Sequence, residues 1–222
     1  MNLKLTDKMP PCMTAGLDTV AVRMPLDTTE RDIIAASVPL AAPSANTSGR
    51  PSTTSAECVI GDLDGKIDAV VMGKDCAVGV ESTVITLVTD PPKILRPGAV
   101  TPEQLKTVIP NIQLDKAVLS MPAEGEKVAS PGMKYKHYAP KARVILVKGS
   151  PEAYARFLAA RAAEEPDGLA ALCFDGEAQG LSLPAVAYGG REDHAAQARQ
   201  VFDALRRLDE IGAKKVYAAC PA

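Results

Sequence analysis

Short apolar runs that alternate with helical stretches constrain the fold of this chain more than any other feature. After residue 142, apolar runs and helical stretches follow one another at 143–148, 151–165, 169–174, 185–188, 193–211 and 215–219. Strands separated by helices of this length are typical of a parallel sheet covered by helices. The sequence therefore predicts a small Rossmann-like parallel α/β domain over residues 142–222, although this region has no GxGxxG motif.

The first half of the chain shows the same alternation less regularly. Its predicted strands lie at 17–24, 38–42 (a short buried strand), 67–72, 83–89 and 93–96, and its predicted helices begin near Asp27, Ser55 and Thr101. Asp27 with Glu30, and Thr101 with Gln104, have the spacing of capping boxes. These elements predict an α/β domain over residues 1–112.

Residues 113–141 break the alternation and are predicted to form a linker. This stretch is rich in proline and glycine and poor in apolar periodicity. Its residues 133–138, MKYKHY, concentrate aromatic and cationic side chains, which plain linkers lack. We therefore expect this part of the linker to be docked rather than to act as an inert spacer.

Charge and hydropathy exclude several functional classes. Lys plus Arg number 25 and Asp plus Glu number 27, so the net charge is −2, which argues against an electrostatic nucleic-acid binder. No apolar run reaches the roughly 18 residues that span a bilayer, and the N-terminal sequence lacks the apolar region of a signal peptide. We expect a soluble, cytoplasmic protein with no membrane partner and no stable nucleic-acid complex.

The cysteines and histidines offer no metal-binding or disulfide pattern. Five cysteines are scattered without CxxC spacing, and the two histidines, His137 and His194, are far apart in the sequence. Structural zinc sites and disulfide frameworks need closer, patterned thiols. We therefore expect no resident metal and no Cys/His nucleophile, and chemistry that depends on hydroxyls, arginines, carboxylates and backbone amides.

The loop at 43–52, PSANTSGRPS, has the composition of an anion-binding loop. It follows a predicted strand and precedes a predicted helix, which is where α/β folds present ligand-binding loops. Its hydroxyls, amide and guanidinium can donate to phosphate or carboxylate oxygens, and the helix N-terminus favours negative charge. An ordinary turn with Asx and Ser/Thr caps selects the same residues, so both interpretations remain open.

Arginines in apolar strands mark two further candidate positions. Arg23 lies in VAVRMP, where it is ion-paired, faces a cavity that receives anions, or reaches solvent from an edge strand. Arg96 lies at the end of another apolar run. Ser82 lies at the start of a predicted strand, where it either contacts a ligand or stabilises a turn. Such a set favours an anion pocket suited to phosphoryl or nucleotidyl transfer. The residues alone indicate a small-molecule anion or nucleotide site and no more.

Five segments, in this order, resemble the YrdC-type domain of threonylcarbamoyl-AMP synthases. They are TAGLDTVAVRMP from Thr14, PLAAPSANTSGRPS from Pro39, DLDGKIDAVV from Asp62, VGVESTVI from Val78 and ILRPGAVT from Ile94. SPGMKYKHYAP from Ser130 resembles the signature that joins this domain to a second Rossmann-like domain in the long form of the family. The resemblance implies a partial YrdC-type domain with a twisted α/β sheet, a linker and an incomplete C-terminal Rossmann-like domain.

The resemblance also implies a reaction and its partners. Members of the family condense L-threonine, bicarbonate or CO2 and ATP into L-threonylcarbamoyl-AMP and pyrophosphate, a nucleotidyl transfer. The product would pass to the transferase that makes the t6A modification at position 37 of tRNA. Bicarbonate, the threonine carboxylate and the triphosphate are all anionic, which agrees with an anion pocket. No covalent enzyme intermediate is needed, so no residue is assigned a catalytic role.

Site residues follow from motif positions in the resemblance. Nucleotide contacts are implied for Thr19, Ser44, Asn46, Ser52 and Arg96. Threonine contacts are implied for Arg23 and Ser82, with the backbone beside Ala42 nearby, and Arg50 would line the same loop. Tyr135 and His137 in the linker would close over the nucleotide as a lid that excludes water. Mg2+ would accompany ATP, held mainly by phosphates and waters.

Departures from the family lead to a further expectation and two alternatives. Family members carry an additional N-terminal portion with a Lys/Arg motif, so we expect a chain truncated at both ends, with an unpaired sheet edge and weak or no activity. An RNA-binding YrdC-like module is the first alternative, although the net charge of −2 argues against it. A carbamoyl-transfer relative in hydrogenase maturation is the second, although its zinc-finger cysteine pattern does not occur here.

Overall fold

The computed structural model describes residues 1–7, 9–14, 16–119, 139–165 and 167–220. The chain divides into two compact units. The first unit comprises Met1–Ser44 and Glu81–Lys136, and the second comprises Ala45–Val80 and His137–Ala222. Residues 45–80 therefore group with the C-terminal part of the chain, whereas the boundaries predicted at 112 and 142 assign them to the N-terminal domain. Those domain boundaries stay a prediction.

Nine strands, six α-helices and one short 3-10 helix (Pro11–Met13) make up the regular structure of the described residues. The strands are β1 (Asn2–Lys4), β2 (Thr19–Ala21), β3 (Val84–Thr86), β4 (Lys93–Arg96), β5 (Gln113–Leu114), β6 (Arg143–Val147), β7 (Leu169–Cys173), β8 (Ala185–Ala187) and β9 (Lys215–Ala219). The helices are α1 (Thr28–Ala35), α2 (Ala56–Leu63), α3 (Pro102–Lys106), α4 (Lys116–Leu119), α5 (Pro151–Glu164) and α6 (His194–Glu210). None of the helices in the described ranges is long and apolar enough to cross a membrane.

The first unit contains a mixed five-stranded sheet in the order β2-β1-β3-β4-β5. Strand β1 pairs antiparallel with β2 and parallel with β3, and β4 pairs antiparallel with β3 and parallel with β5. Ile94 and Leu95 of β4 and Ile112 before β5 are buried. Because β4 is hydrogen-bonded to β3 on one side and to β5 on the other, the residues at its end are held in a fixed position.

The second unit contains a fully parallel four-stranded sheet in the order β6-β9-β7-β8. All five residues of β7 are buried, as expected for a parallel strand covered on both faces. Leu158 of α5 and Leu208 of α6 are fully buried against this sheet. The Tyr154 hydroxyl donates to the carbonyl of Tyr217 at 2.7 Å. The predicted fold class, a twisted α/β sheet domain followed by a small Rossmann-like parallel α/β domain, is confirmed.

Helix starts follow the sequence signals closely. The Asp27 side chain accepts from the backbone N–H of Glu30 and caps α1. Thr101 and Gln104 form the complete capping box of α3, with Pro102 at the first helical position. Ser55 caps α2 in the same way. A cap needs only residues within one turn, which is why the sequence predicts it well.

Two predicted strands are wrong. Residues 38–42 and 67–72 form no strand, and most of their apolar side chains are exposed, with Val38 at 65% and Val71 at 66%. A strand exists only when a neighbouring backbone supplies its hydrogen bonds, and neither segment has a partner in the two described sheets. Apolar and β-branched residues favour an extended backbone, but they do not determine whether a neighbouring strand is present.

The start of the predicted linker contains regular structure. Gln113–Leu114 pairs with β4 as the edge strand β5, and Lys116–Leu119 forms the short helix α4. Residues 120–138, which make up most of the predicted linker, lie outside the described residues.

Candidate functional site

Arg96 and Ser82 lie together in the first unit, at the end of β4. The Arg96 Nε donates to the Ser82 carbonyl at 3.0 Å, and its Nη2 lies 3.5 Å from Glu81 Oε2. The Arg96 side chain is 18% exposed and that of Glu81 20%, so the pair is half-buried. The structure thus brings together two predicted site residues, since the Arg96 side chain binds the Ser82 backbone. It also places Glu81 beside Arg96, a residue to which the sequence analysis assigned no role.

Gly98 explains why segment 81–83 can approach the turn after β4. A Cβ on Gly98 would lie 2.3 Å from the Glu81 carbonyl oxygen and 2.4 Å from the Thr83 nitrogen. Thr83 reinforces the contact, because its hydroxyl donates to the Val100 carbonyl at 2.8 Å and accepts from the Val100 N–H at 3.1 Å. The Pro97-Gly98 dipeptide favours a turn, but no sequence pattern identifies segment 81–83 as the part of the chain that packs against it.

Arg23 lies just beyond β2 and pairs with α1. Its Nη2 donates to Glu30 Oε1 at 2.7 Å, and its side chain remains 57% exposed. Of the alternatives that the sequence left open, the structure shows an ion pair that also reaches solvent. An exposed pair of this kind contributes little stability, so this guanidinium can exchange its carboxylate for another anion at small cost.

The other predicted residues of the first unit occupy less structured positions. Thr19 is half-buried in the edge strand β2, opposite Lys4 of β1. Ala42 and Ser44 are exposed in irregular backbone after α1. Their assigned ligand contacts stay predictions.

The loop at 45–52 in the second unit folds on itself. The Asn46 side-chain amide donates to the carbonyls of Thr47 at 2.9 Å and of Arg50 at 3.2 Å. Gly49 adopts φ +84°, a conformation that favours glycine, and the Arg50 N–H donates to the Thr47 carbonyl. Asn46 therefore acts as an internal brace of the loop, which is the turn chemistry that the sequence offered as one of two interpretations. Ser52 is half-buried in the same loop.

Asp62 of α2 is the buried centre beneath this loop. One carboxylate oxygen accepts from the Thr47 N–H at 3.1 Å, and the other accepts from Arg50 Nη1 at 2.8 Å. Arg206 of α6 donates to both oxygens, at 3.2 and 2.8 Å. The side chains of Asp62 and Arg206 are 2% and 5% exposed. The sequence interpretation assigned neither residue, since a lone charge in a helix pattern does not reveal its partner 144 positions away.

The Asp62 carboxyl is held ionised by its neighbours. The hydrogen bonds from Arg206 lower its pKa most, the Thr47 N–H and the charges of Arg206 and Arg50 lower it further, and burial opposes them, leaving a pKa of about 2 against an ordinary 3.8. A depressed carboxyl pKa stabilises the fold fully above the ordinary value and loses that contribution as pH falls toward 2. The contribution at neutral pH is about 2 kcal/mol.

Acid should therefore narrow the difference in unfolding free energy between the native chain and Asp62→Asn. We expect the native advantage, measured by urea unfolding, to be about 1 kcal/mol smaller at pH 3 than at pH 6. Asp68→Asn, at an exposed position of the same unit, is the matched control. An advantage of equal size at both pH values would contradict the assigned pKa.

Tyr135 and His137, the predicted lid, lie outside the described residues. Over the ranges that the structure describes, no three His, Cys, Asp or Glu side chains cluster as metal ligands would.

Family models match almost the whole chain in two adjacent parts. The model described as "Telomere recombination" matches residues 2–98. The model described as "Threonylcarbamoyl-AMP synthase, C-terminal domain" matches residues 100–221, more than half of the chain. The chain belongs to the threonylcarbamoyl-AMP synthase family. The resemblance read from the sequence motifs is confirmed, including the order of its two domains.

Individual synthases and a solved structure agree with this assignment. The chain is 50% identical over 147 residues to the threonylcarbamoyl-AMP synthase of Bacillus subtilis, a match over 66% of this chain and 42% of that protein. It is 40% identical over 220 residues to the synthase of Pyrococcus abyssi, over 97% of this chain and 63% of that protein. The crystal structure of P. abyssi Sua5 complexed with L-threonine matches with a TM-score of 0.83 and 36% identity, over 98% of this chain and 63% of that one. The chain thus spans between about two fifths and 63% of the length of these relatives.

Proposed function

We propose that this chain acts in the synthesis of L-threonylcarbamoyl-AMP from L-threonine, bicarbonate or CO2 and ATP, with release of pyrophosphate. The observation that carries the proposal is the match of the C-terminal synthase model to residues 100–221, directly after a match to the family's other domain over 2–98. The 0.83 TM-score to a structure complexed with L-threonine supports threonine as a substrate. The enzyme class would be a nucleotidyltransferase that forms an adenylate.

The described residues suit the chemistry of that reaction. Arg23 reaches solvent and can pair with a carboxylate, which fits the proposed threonine contact. The guanidinium of Arg96 already shares its charge with Glu81, so it is oriented before a ligand arrives. Orientation and charge neutralisation are the main contributions a protein makes to nucleotidyl transfer, because the triphosphate itself supplies the reactive bond.

The remaining nucleotide contacts form part of the same proposal. The hydroxyls of Ser44 and Ser52 would donate to the nucleotide, and Thr19 and Asn46 would also contact it. Tyr135 and His137 would exclude water from the carbamate, which hydrolyses readily. No residue needs to form a covalent bond to substrate.

Mg2+, the product and the cellular location complete the proposal. The described residues offer no carboxylate cluster for a resident metal, so the ion would enter with ATP, bound to phosphates and water. The product would pass to the transferase that makes t6A in tRNA. We propose that the protein works in the cytoplasm, without a membrane or a stable nucleic-acid complex.

Ligand binding to the purified chain tests the proposal. Titration calorimetry should show sub-millimolar binding of L-threonine, which Arg23→Ala should abolish because a threonine carboxylate would lose its cationic partner. Arg31→Ala removes the same charge from an exposed position of α1 and should leave binding unchanged. ATP binding and threonine-dependent pyrophosphate release are measured on the same samples.

Two results would contradict the proposal. A folded chain that binds neither ATP nor L-threonine would remove the synthase function. Equal threonine affinity in the native chain and Arg23→Ala would remove Arg23 from the amino-acid site. The activity measurement also tests the sequence expectation of weak or absent turnover.

A further inference from the structure

One guanidinium from the C-terminal helix α6 holds the 45–52 loop at two points. Arg206 Nε donates to the Pro51 carbonyl at 3.0 Å, and its Nη2 donates to the same oxygen. Through both carboxylate oxygens of Asp62, it also fixes the acceptor of the Thr47 N–H. Both ends of the turn formed by Thr47–Pro51 thus depend on a residue about 150 positions away in sequence.

Burial makes these contacts consequential. The Arg206 and Asp62 side chains are 5% and 2% exposed, and Pro51 is among the fully buried side chains. Breaking a buried ion pair by removing one partner leaves an uncompensated charge and costs far more than losing an exposed pair. The loop therefore cannot release Arg206 without exposing or orphaning a charge.

A second contact joins segment 45–80 to α6. The Gly79 N–H donates to the Ala198 carbonyl of α6 at 3.1 Å. A Cβ at Gly79 would lie 1.9 Å from the Arg199 carbonyl oxygen, so the two backbones are in direct contact. Segment 45–80 is thus joined to α6 near both of its ends, at Pro51 and at Gly79.

We propose that Arg206 and Asp62 are positioning residues, through which the C-terminal Rossmann-like part sets the shape of the 45–52 loop for nucleotide binding. The inference rests on the proposed function, since that function assigns Asn46 and Ser52 to the nucleotide. It gives the C-terminal part a role in the affinity of the N-terminal motif for ATP. The fork geometry of arginine is required, because one planar group must contact a carboxylate and a carbonyl together.

Arg206→Lys tests the proposal while it keeps the buried positive charge. A lysine ammonium can neutralise Asp62 but cannot also hold Pro51 in the same planar geometry. We expect ATP affinity to fall about tenfold and L-threonine affinity to stay unchanged. Arg207→Lys, at the adjacent exposed position of α6, is the matched control and should change neither affinity.

Amide hydrogen exchange provides a measurement that needs no ligand. In Arg206→Lys, amides of residues 45–52 should exchange faster, while those of β7 and β9 keep native protection. Should Arg206→Lys fail to fold, the double variant Asp62→Asn/Arg206→Gln takes its place, because it removes both charges and retains hydrogen-bonding groups. The same selective loss of protection is expected in it.

The outcomes separate this inference from the proposed function. If the native chain binds no ATP, the proposed function fails, whereas the exchange result still decides whether α6 holds the loop. Native loop protection in the variants would overturn the inference, as would faster exchange throughout the unit, which signifies a purely structural role. A loosened loop with native ATP affinity would also overturn it, because the loop would then not serve the nucleotide.

Discussion

Replacing Gly98 with alanine is expected to destabilise the chain by roughly 3 kcal/mol and to weaken the proposed binding of L-threonine strongly. The new Cβ would lie 2.3 Å from the Glu81 carbonyl oxygen and 2.4 Å from the Thr83 nitrogen. Both are backbone atoms and cannot rotate away as a side chain would. Segment 81–83 must therefore move, and with it Ser82, the proposed threonine contact, whose carbonyl also orients Arg96.

Denaturant unfolding and calorimetry with L-threonine measure the two effects of Gly98→Ala. Gly61→Ala is the control, since Gly61 lies in α2 with no atom within 4 Å of the added Cβ. Alanine favours helix, so this control should stabilise the chain by about 0.5–1 kcal/mol. Native stability in Gly98→Ala would show that the two segments do not approach as closely as the structure places them.

Gly79→Ala is expected to release segment 64–80 from helix α6. The added Cβ would lie 1.9 Å from the Arg199 carbonyl oxygen and 2.6 Å from its carbon, so the contact cannot survive. The Gly79 N–H would also lose its acceptor on Ala198. We expect a loss of roughly 3 kcal/mol in unfolding free energy, the upper part of the usual range for overpacking.

Limited trypsin digestion reports this release directly. Lys66 and Lys74 lie in the segment, so cleavage after them should become faster in Gly79→Ala than in the native chain. Gly61→Ala again serves as the control and should cleave at the native rate. Equal cleavage of all three proteins, with native stability of Gly79→Ala, would contradict the anchoring of this segment on α6.

The elements predicted best are those whose causes are local or repeated. Every predicted strand and helix after residue 142 is present. The spacing of apolar residues predicts each element, and the repeated alternation of strand and helix provides each strand with a parallel neighbour. The caps at Asp27, Ser55 and Thr101 required information from a single turn. The wrong strands, 38–42 and 67–72, depended instead on a backbone partner that composition does not specify.

The candidate site shows the same division. Motifs brought attention to Arg23, Ser82 and Arg96, but a motif does not state what a side chain contacts. The structure pairs Arg23 with Glu30, and Arg96 with Glu81 and the Ser82 carbonyl. Their convergence on one set of substrates stays a prediction.

By itself the sequence determined the fold class, the family and the positions of the helix caps, because these follow from local periodicity and from long, ordered motifs. Only the tertiary structure decided the partners of buried charges. Asp62 and Arg206 are 144 positions apart and become an ion pair only when α2 and α6 pack together. Desolvation and Coulomb attraction act through space, so no pattern along the chain could have identified that pair.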